Sequence, residues 1–208
     1  MPPSKIALSS LTPGFADPVH ETQAVFRTLL DALARPGTIG SVDAALPAAV
    51  AGQPHSGHAG RAAFATLLAL ADDTTPIWLA TPDAALGSTL RFHTGATLTD
   101  TPSRAAFAYL HDAEALPPLD TFALGEPETP EQSATLLIRV DAFTGGAQVT
   151  LSGPGIETTA SIAPRGLPER FWHERAELAV HFPCGIDCYL VCGDALVGLP
   201  RTTRAEVN

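Results

Sequence analysis

The placement of prolines and glycines, 19 and 17 of them, constrains this chain most, because they cut it into short periodic segments of two kinds. Asp17 can cap a helix with Pro18 at its first position, and Phe26, Leu29, Leu30 and Leu33 then recur at i, i+3, i+4 and i+7. That spacing predicts one apolar helix face, ended by Pro36 and Gly37. Phe64, Leu67, Leu68 and Ala71 repeat the pattern in a second helix ending near Asp72, after a loop over 47–60 that is rich in Ala, Gly and Pro. Residues 77–80, 90–93 and 106–110 read as strands separated by Pro82, Gly87, Gly95 and Pro102. The proline-rich span 116–130 reads as a surface loop. Residues 136–140 and 147–151, joined through Gly145 and Gly146, read as a hairpin, with 158–162 as a candidate to continue the sheet, and 167–181 as a helix. Residues 186–192 and 195–199 flank Gly193 and Asp194, a pair suited to a tight hairpin turn.

Helices and strands therefore mix along the chain, without internal repeats or a linker. The expected class is α/β, with a mixed sheet in a single three-layer-like domain over 17–208. Residues 1–16, with Pro2, Pro3, Pro13 and Gly14 and no sustained period, read as a poorly ordered lead-in. A chain of 208 residues suffices for one continuous core, burying roughly 70% of its unfolded surface.

Charge narrows the functional classes. Charged residues are 16% of the chain against about 25% in ordinary soluble domains, which favours burial against partner subunits or reflects a compositional bias towards alanine and arginine. The net charge of -10 is the wrong sign for tracking nucleic acid, so an anionic ligand must meet a local cluster of arginines. No apolar run approaches the ~18 residues needed to cross a bilayer, and no signal peptide is visible, so a cytoplasmic, non-membrane protein is expected. In that compartment Cys184, Cys188 and Cys192 stay reduced, and no structural disulfide is expected.

The motifs present exclude more than they assign. The only lysine is Lys5, which removes a P-loop and a Schiff-base cofactor lysine. Ser152-Gly153-Pro154-Gly155 lacks the third glycine of a dinucleotide loop and reads as a turn between strands. The three cysteines, four residues apart, do not match zinc or iron–sulfur spacing; Cys188 and Cys192 should share one strand face as small hydrophobes. His55 and His58 sit in the loop without nearby carboxylates, and no metal site is expected. Two clusters join positive charge to turn-forming or hydroxyl residues. On an extended strand Arg91 and His93 point to the same side, where they could meet one anion or an acidic partner residue. The other cluster is the run Arg201, Thr202, Thr203 and Arg204. For both, a solvated or partner-paired face is the alternative to ligand binding.

Several runs resemble the H subunits of bacterial carbon–phosphorus lyase: ARPG at 34–37, LALADDTTPIWLAT at 68–81, LRFHTGA at 90–96, LSGPGI at 151–156 and FPCGIDCYLVCGDALVGLPRTTRAEV at 182–207. The resemblance runs in order over nearly the whole chain. It implies a fold similar to pyridoxal-phosphate-dependent transferases but lacking the cofactor, a homodimer, and a core complex with the G, I and J subunits. In that family the complex, helped by the L subunit, exchanges the adenine of ATP for a phosphonate, and the J subunit cleaves the carbon–phosphorus bond with its iron–sulfur chemistry. No catalytic residue carries over. Arg91, His93, Asp187, Arg201 and Thr202 are the candidate contacts for a phosphonate or nucleotide ligand or for a partner, with arginine holding anionic oxygens and Asp187 orienting an arginine or a ribose hydroxyl.

Overall fold

The computed structural model describes residues 11–43 and 59–208. Lys5, His55, His58 and most of the 47–60 loop lie outside the described residues.

Helix α1 spans Pro18–Ala34 and opens as expected: the Asp17 carboxylate accepts from His20 N at 3.2 Å, with proline in the first turn. Its inward stripe is not the expected one. Val25, Leu29 and Ala32 are buried, Leu33 is half-buried, and Phe26 and Leu30 face outwards, 49% and 56% exposed. The reason is a close approach of backbones. A Cβ at Gly198 would stand 2.5 Å from the Ala32 carbonyl, so the helix turns its smallest inward residue to the sheet and the bulkier Phe26 and Leu30 rotate out.

After strand β1 (Ile39–Ser41), helix α2 (Arg61–Leu70) buries Phe64 and Leu67 completely, and Ala71 caps it. Each fully buried side chain of this size contributes roughly 1.5–3 kcal/mol. Strand β2 (Ile77–Leu79) follows, and then a correction. Residues 90–93 are not a strand but belong to helix α3, Ala84–Thr94. Asp83 caps it by accepting from Ala85 N and Leu86 N, and Gly95 ends it at φ +76°. Gly87, which reads as a turn-former, lies inside the helix because Leu98 packs on it; a Cβ there would be 2.5 Å from the leucine Cδ1.

Strands β3 (Phe107–Leu110), β4 (Thr135–Arg139), β7 (Asp187–Cys192) and β8 (Ala195–Leu199) complete a six-stranded mixed sheet of order β1-β8-β7-β4-β3-β2. The run β2, β3, β4 and β7 is parallel, and β8 and β1 add antiparallel. The β7–β8 hairpin turns at Gly193, φ +60°, as the sequence indicates.

The expected hairpin of 136–140 with 147–151 does not form. Both edges of β4 are taken by the parallel strands β3 and β7, so β5 (Val149–Ser152) has no edge to join. It pairs instead with β6 (Ala160–Ile162) and β9 (Arg204–Val207) in a separate antiparallel sheet. The extension by 158–162 is found, but in this second sheet. Main-chain bonds from Asp141 N to Arg165 O and from Gly146 N to Ala163 O steer the connection away from β4.

Alternation along the strands divides the core. Tyr109, Leu137, Tyr189 and Val191 pack towards α1, α2 and α3. Ala108, Leu136, Ile138, Cys188 and Leu190 pack on the opposite side, towards Phe171 and Trp172 of helix α4 (Arg170–Leu178) and Val149 and Leu151 of the small sheet. The result is a mixed α/β structure layered as helices, mixed sheet, then α4 with the small sheet.

Candidate functional site

The run after β8 was expected to hold anions through Arg201. The structure instead spends Arg201 internally. Its Nε donates to Asp187 Oδ1 at 3.3 Å, Nη2 to Asp187 Oδ2 at 2.7 Å and to Ser133 Oγ, and Nη1 to the carbonyls of Pro130 and Pro183 at 2.9 and 3.2 Å. All five guanidinium N–H groups are occupied. Its backbone N–H also donates to Asp187 Oδ1 at 2.7 Å. The Asp187–Arg201 pair clamps β7 to the 130–133 turn and leaves Arg201 no donor for a ligand.

Thr202 is half-buried, and its carbonyl lies against Gly153, where a Cβ would come within 2.8 Å. Ser152-Gly153-Pro154-Gly155 is accordingly a turn between β5 and β6, with Gly153 at φ +132° and Gly155 at +83°.

Arg91 and His93 do not converge. Two positions apart on a helix, side chains diverge by roughly 200°, so the shared face expected of a strand is absent. His93 Nε2 lies 2.9 Å from the Thr12 carbonyl, while Arg91 is exposed in the last turn of α3. No hydrogen bond or ion pair among the described residues joins them to Asp187 or Arg201.

Sequence reasoning missed Arg175. Phe171, Arg175 and Leu178 fall at i, i+4 and i+7, so an arginine sits in the apolar stripe of α4, and that was the available signal. Its Nη2 donates to Pro200 O at 2.9 Å, and its Nη1 to Ile186 O at 3.3 Å and towards Cys188 Sγ at 3.4 Å. The guanidinium carbon stands 5.8 Å from the Phe171 ring centre. One turn earlier, Arg170 pairs with Glu174 at 3.0 Å, and Glu174 accepts from Leu119 N at 2.7 Å, which pins α4 to the 116–121 segment.

A recess lies past the carboxyl ends of β2 and β3, where ligands gather in open α/β sheets. It is lined by Thr81, Asp83, Leu86, Tyr109 and His111, with Tyr109 Oη 3.4 Å from His111 Nδ1. Burial pushes the Tyr109 phenol up to about 12 against the opposing pull of Arg139.

The cysteines offer no nucleophile at Cys188. It is fully buried, and burial lifts its thiol to about 11 although the Arg175 charge pulls the other way. Cys188 and Cys192 share one strand face as expected, and Cys192 Sγ donates to Asp141 O at 3.3 Å. Among the described residues no group of three or more His, Cys, Asp or Glu is placed to hold a metal, and no helix is long and apolar enough to cross a membrane. The chemistry on offer around α4 is charge-assisted hydrogen bonding by arginine.

Against known proteins, a model of the family described as bacterial phosphonate metabolism protein (PhnH) matches residues 13–206. The chain belongs to the PhnH family. Its function therefore lies in bacterial phosphonate metabolism, as the resemblance indicated. It is 43% identical over 196 residues to the alpha-D-ribose 1-methylphosphonate 5-triphosphate synthase subunit PhnH of Rhizobium meliloti (strain 1021), covering 92% of this chain and 94% of that protein. It is also 40% identical over 85 residues to the putative C-P lyase subunit protein HtxG of Stutzerimonas stutzeri, 41% of this chain and 44% of that one. The PhnH match spans the clamp, α4 and both sheets alike.

Proposed function

We propose that this chain is a site-completing subunit of a carbon–phosphorus lyase core complex. It would work beside the G, I and J subunits to transfer a phosphonate onto the ribose of ATP with loss of adenine. The observation that carries the reading is the match, 43% identical over 92% of this chain, to a protein described as a subunit of alpha-D-ribose 1-methylphosphonate 5-triphosphate synthase.

Physical features support a role inside an assembly. Val19, Phe26 and Leu30 form an exposed stripe along α1, and Phe92, Val180 and Phe182 are also more than half exposed. Such side chains are commonly covered by partners. On this reading residues 17–208 act as one domain, a homodimer forms in the cytoplasm, and the fold relates to pyridoxal-phosphate-dependent transferases without using the cofactor. Arg91, His93 and Phe92 in the last turn of α3 are proposed as partner contacts and Thr202 as a ligand or partner contact. Asp187 and Arg201 serve the site by holding the 130–133 turn and β7 together.

The test is co-expression of a tagged copy with the G, I and J subunits, followed by assay of the recovered complex with the L subunit, ATP and methylphosphonate. Recovery of all four subunits, and loss of ribose-linked phosphonate when this chain is omitted, is the expected result. Product formation at full rate without this chain would overturn the proposal.

A further inference from the structure

Arg175 differs from the other part-buried arginines in lacking a counter-ion. Arg61 pairs with Asp43, Arg170 with Glu174 and Arg201 with Asp187, but among the described residues no carboxylate lies within 4.0 Å of Arg175. Its hydrogen-bond partners are two neutral carbonyls and a protonated thiol. A part-buried charge left this way is costly unless an anion arrives.

The same side chain carries a second deficit. Arg175 Nε is buried and has no hydrogen-bond partner, and so is Thr203 Oγ1, on a residue only 6% exposed. Buried polar groups are nearly always satisfied, and unsatisfied ones point to an absent water, ion or ligand. Both residues line one cleft of about 250 Å³ between α4 and β9, together with Ala176, Ala179, Arg204 and Glu206. That is large beside the ~30 Å³ of a liquid water. The Thr203 main chain is fixed by its N–H bond to Pro200 O at 2.9 Å. Arg204, at the start of β9, is exposed at the rim.

We propose that the α4–β9 cleft is a binding site for a small oxyanion, a phosphoryl, phosphonyl or carboxylate group, held by Arg175, the Thr203 hydroxyl and Arg204. Two guanidinium groups against the one carboxylate of Glu206 leave the cleft positive within a chain of net charge -10. Such donors recognise anionic oxygens in charge-assisted bonds. Glu206 opposes excess negative charge, and so favours a compact anion over a polyphosphate. Binding here belongs to the isolated chain and does not rest on its membership of an assembly.

The experiment is calorimetric titration of the full chain with inorganic phosphate, methylphosphonate, acetate and ATP, repeated on Thr203→Val and Arg204→Gln. Thermal melts check that each variant keeps the parent fold. Saturable binding of phosphate, methylphosphonate or acetate, weakened about tenfold by Thr203→Val and by a similar factor by Arg204→Gln, is the expected result. Absence of saturable binding at millimolar concentration, or affinities unchanged in both variants, overturns the proposal. So does a crystal grown in phosphate with only water in the α4–β9 cleft. Failure here leaves the co-purification test untouched, so the two readings fall separately.

Discussion

Arg175 and Arg201 line the same groove beneath α4, yet their environments are opposite. Arg201, 16% exposed, faces a 22% exposed carboxylate and fills every donor with protein acceptors. Arg175 reaches only carbonyls and a thiol, and one of its N–H groups meets nothing. A saturated arginine is a structural part, because it can give nothing to a ligand without abandoning the protein. An arginine short of acceptors and counter-charge is where an anion can be gained at least cost. Residue type and surrounding sequence favour Arg201 as the ligand holder; the arithmetic of donors favours Arg175.

The largest effect is expected of Asp187→Ala, which strands the Arg201 charge inside the structure. It should lower stability by about 3–5 kcal/mol, read from urea unfolding. A loss below about 1 kcal/mol would show that the clamp is not structural.

The next effect is in alkali and probes the neighbourhood of Arg175. The folded Cys188 thiol titrates near 11 against 9.0 for a free thiol, so the folded state holds its proton more tightly. Stability from this group is intact below pH 9 and declines as pH rises from there through 11, by roughly 2–3 kcal/mol in all. Cys188→Ala should remove that slope in pH-dependent unfolding, and an unchanged slope would assign it to other groups.

Arg175→Met tests the other arginine. It leaves the carbonyls of Pro200 and Ile186 without a donor but also removes an unpaired charge, so the net cost should be only about 1–2 kcal/mol by thermal melt. A loss as large as that of Asp187→Ala would mean that Arg175 is as structural as Arg201. Smallest of all, Arg204→Ala at the exposed rim should shift stability by less than about 0.5 kcal/mol.

Local signals were legible where one short-range interaction decides the outcome. Asp17 with Pro18 starts α1, Gly193 with Asp194 turns the β7–β8 hairpin, and Cys188 and Cys192 share a strand face. They failed where a distant residue competes. Gly87 looks like a break until Leu98 lies on it, and Gly145 with Gly146 looks like a hairpin turn until β3 and β7 occupy both edges of β4. In the candidate site, the run from Arg201 to Arg204 was found by its composition, and Arg175 was visible only as a charge in an apolar stripe.

Local sequence pattern was enough for the class of the fold, the order of most elements and, through the ordered runs, the family. Periodicity and turn chemistry act over a few residues and survive without a partner strand or helix. The stripe of α1 that turns inwards, the sheet that β5 joins and the arginine left with a buried donor unmatched are settled only in the folded chain. Each of those outcomes depends on groups far apart in the chain competing for the same acceptor, edge or space, and that competition exists only once the backbone has closed around them.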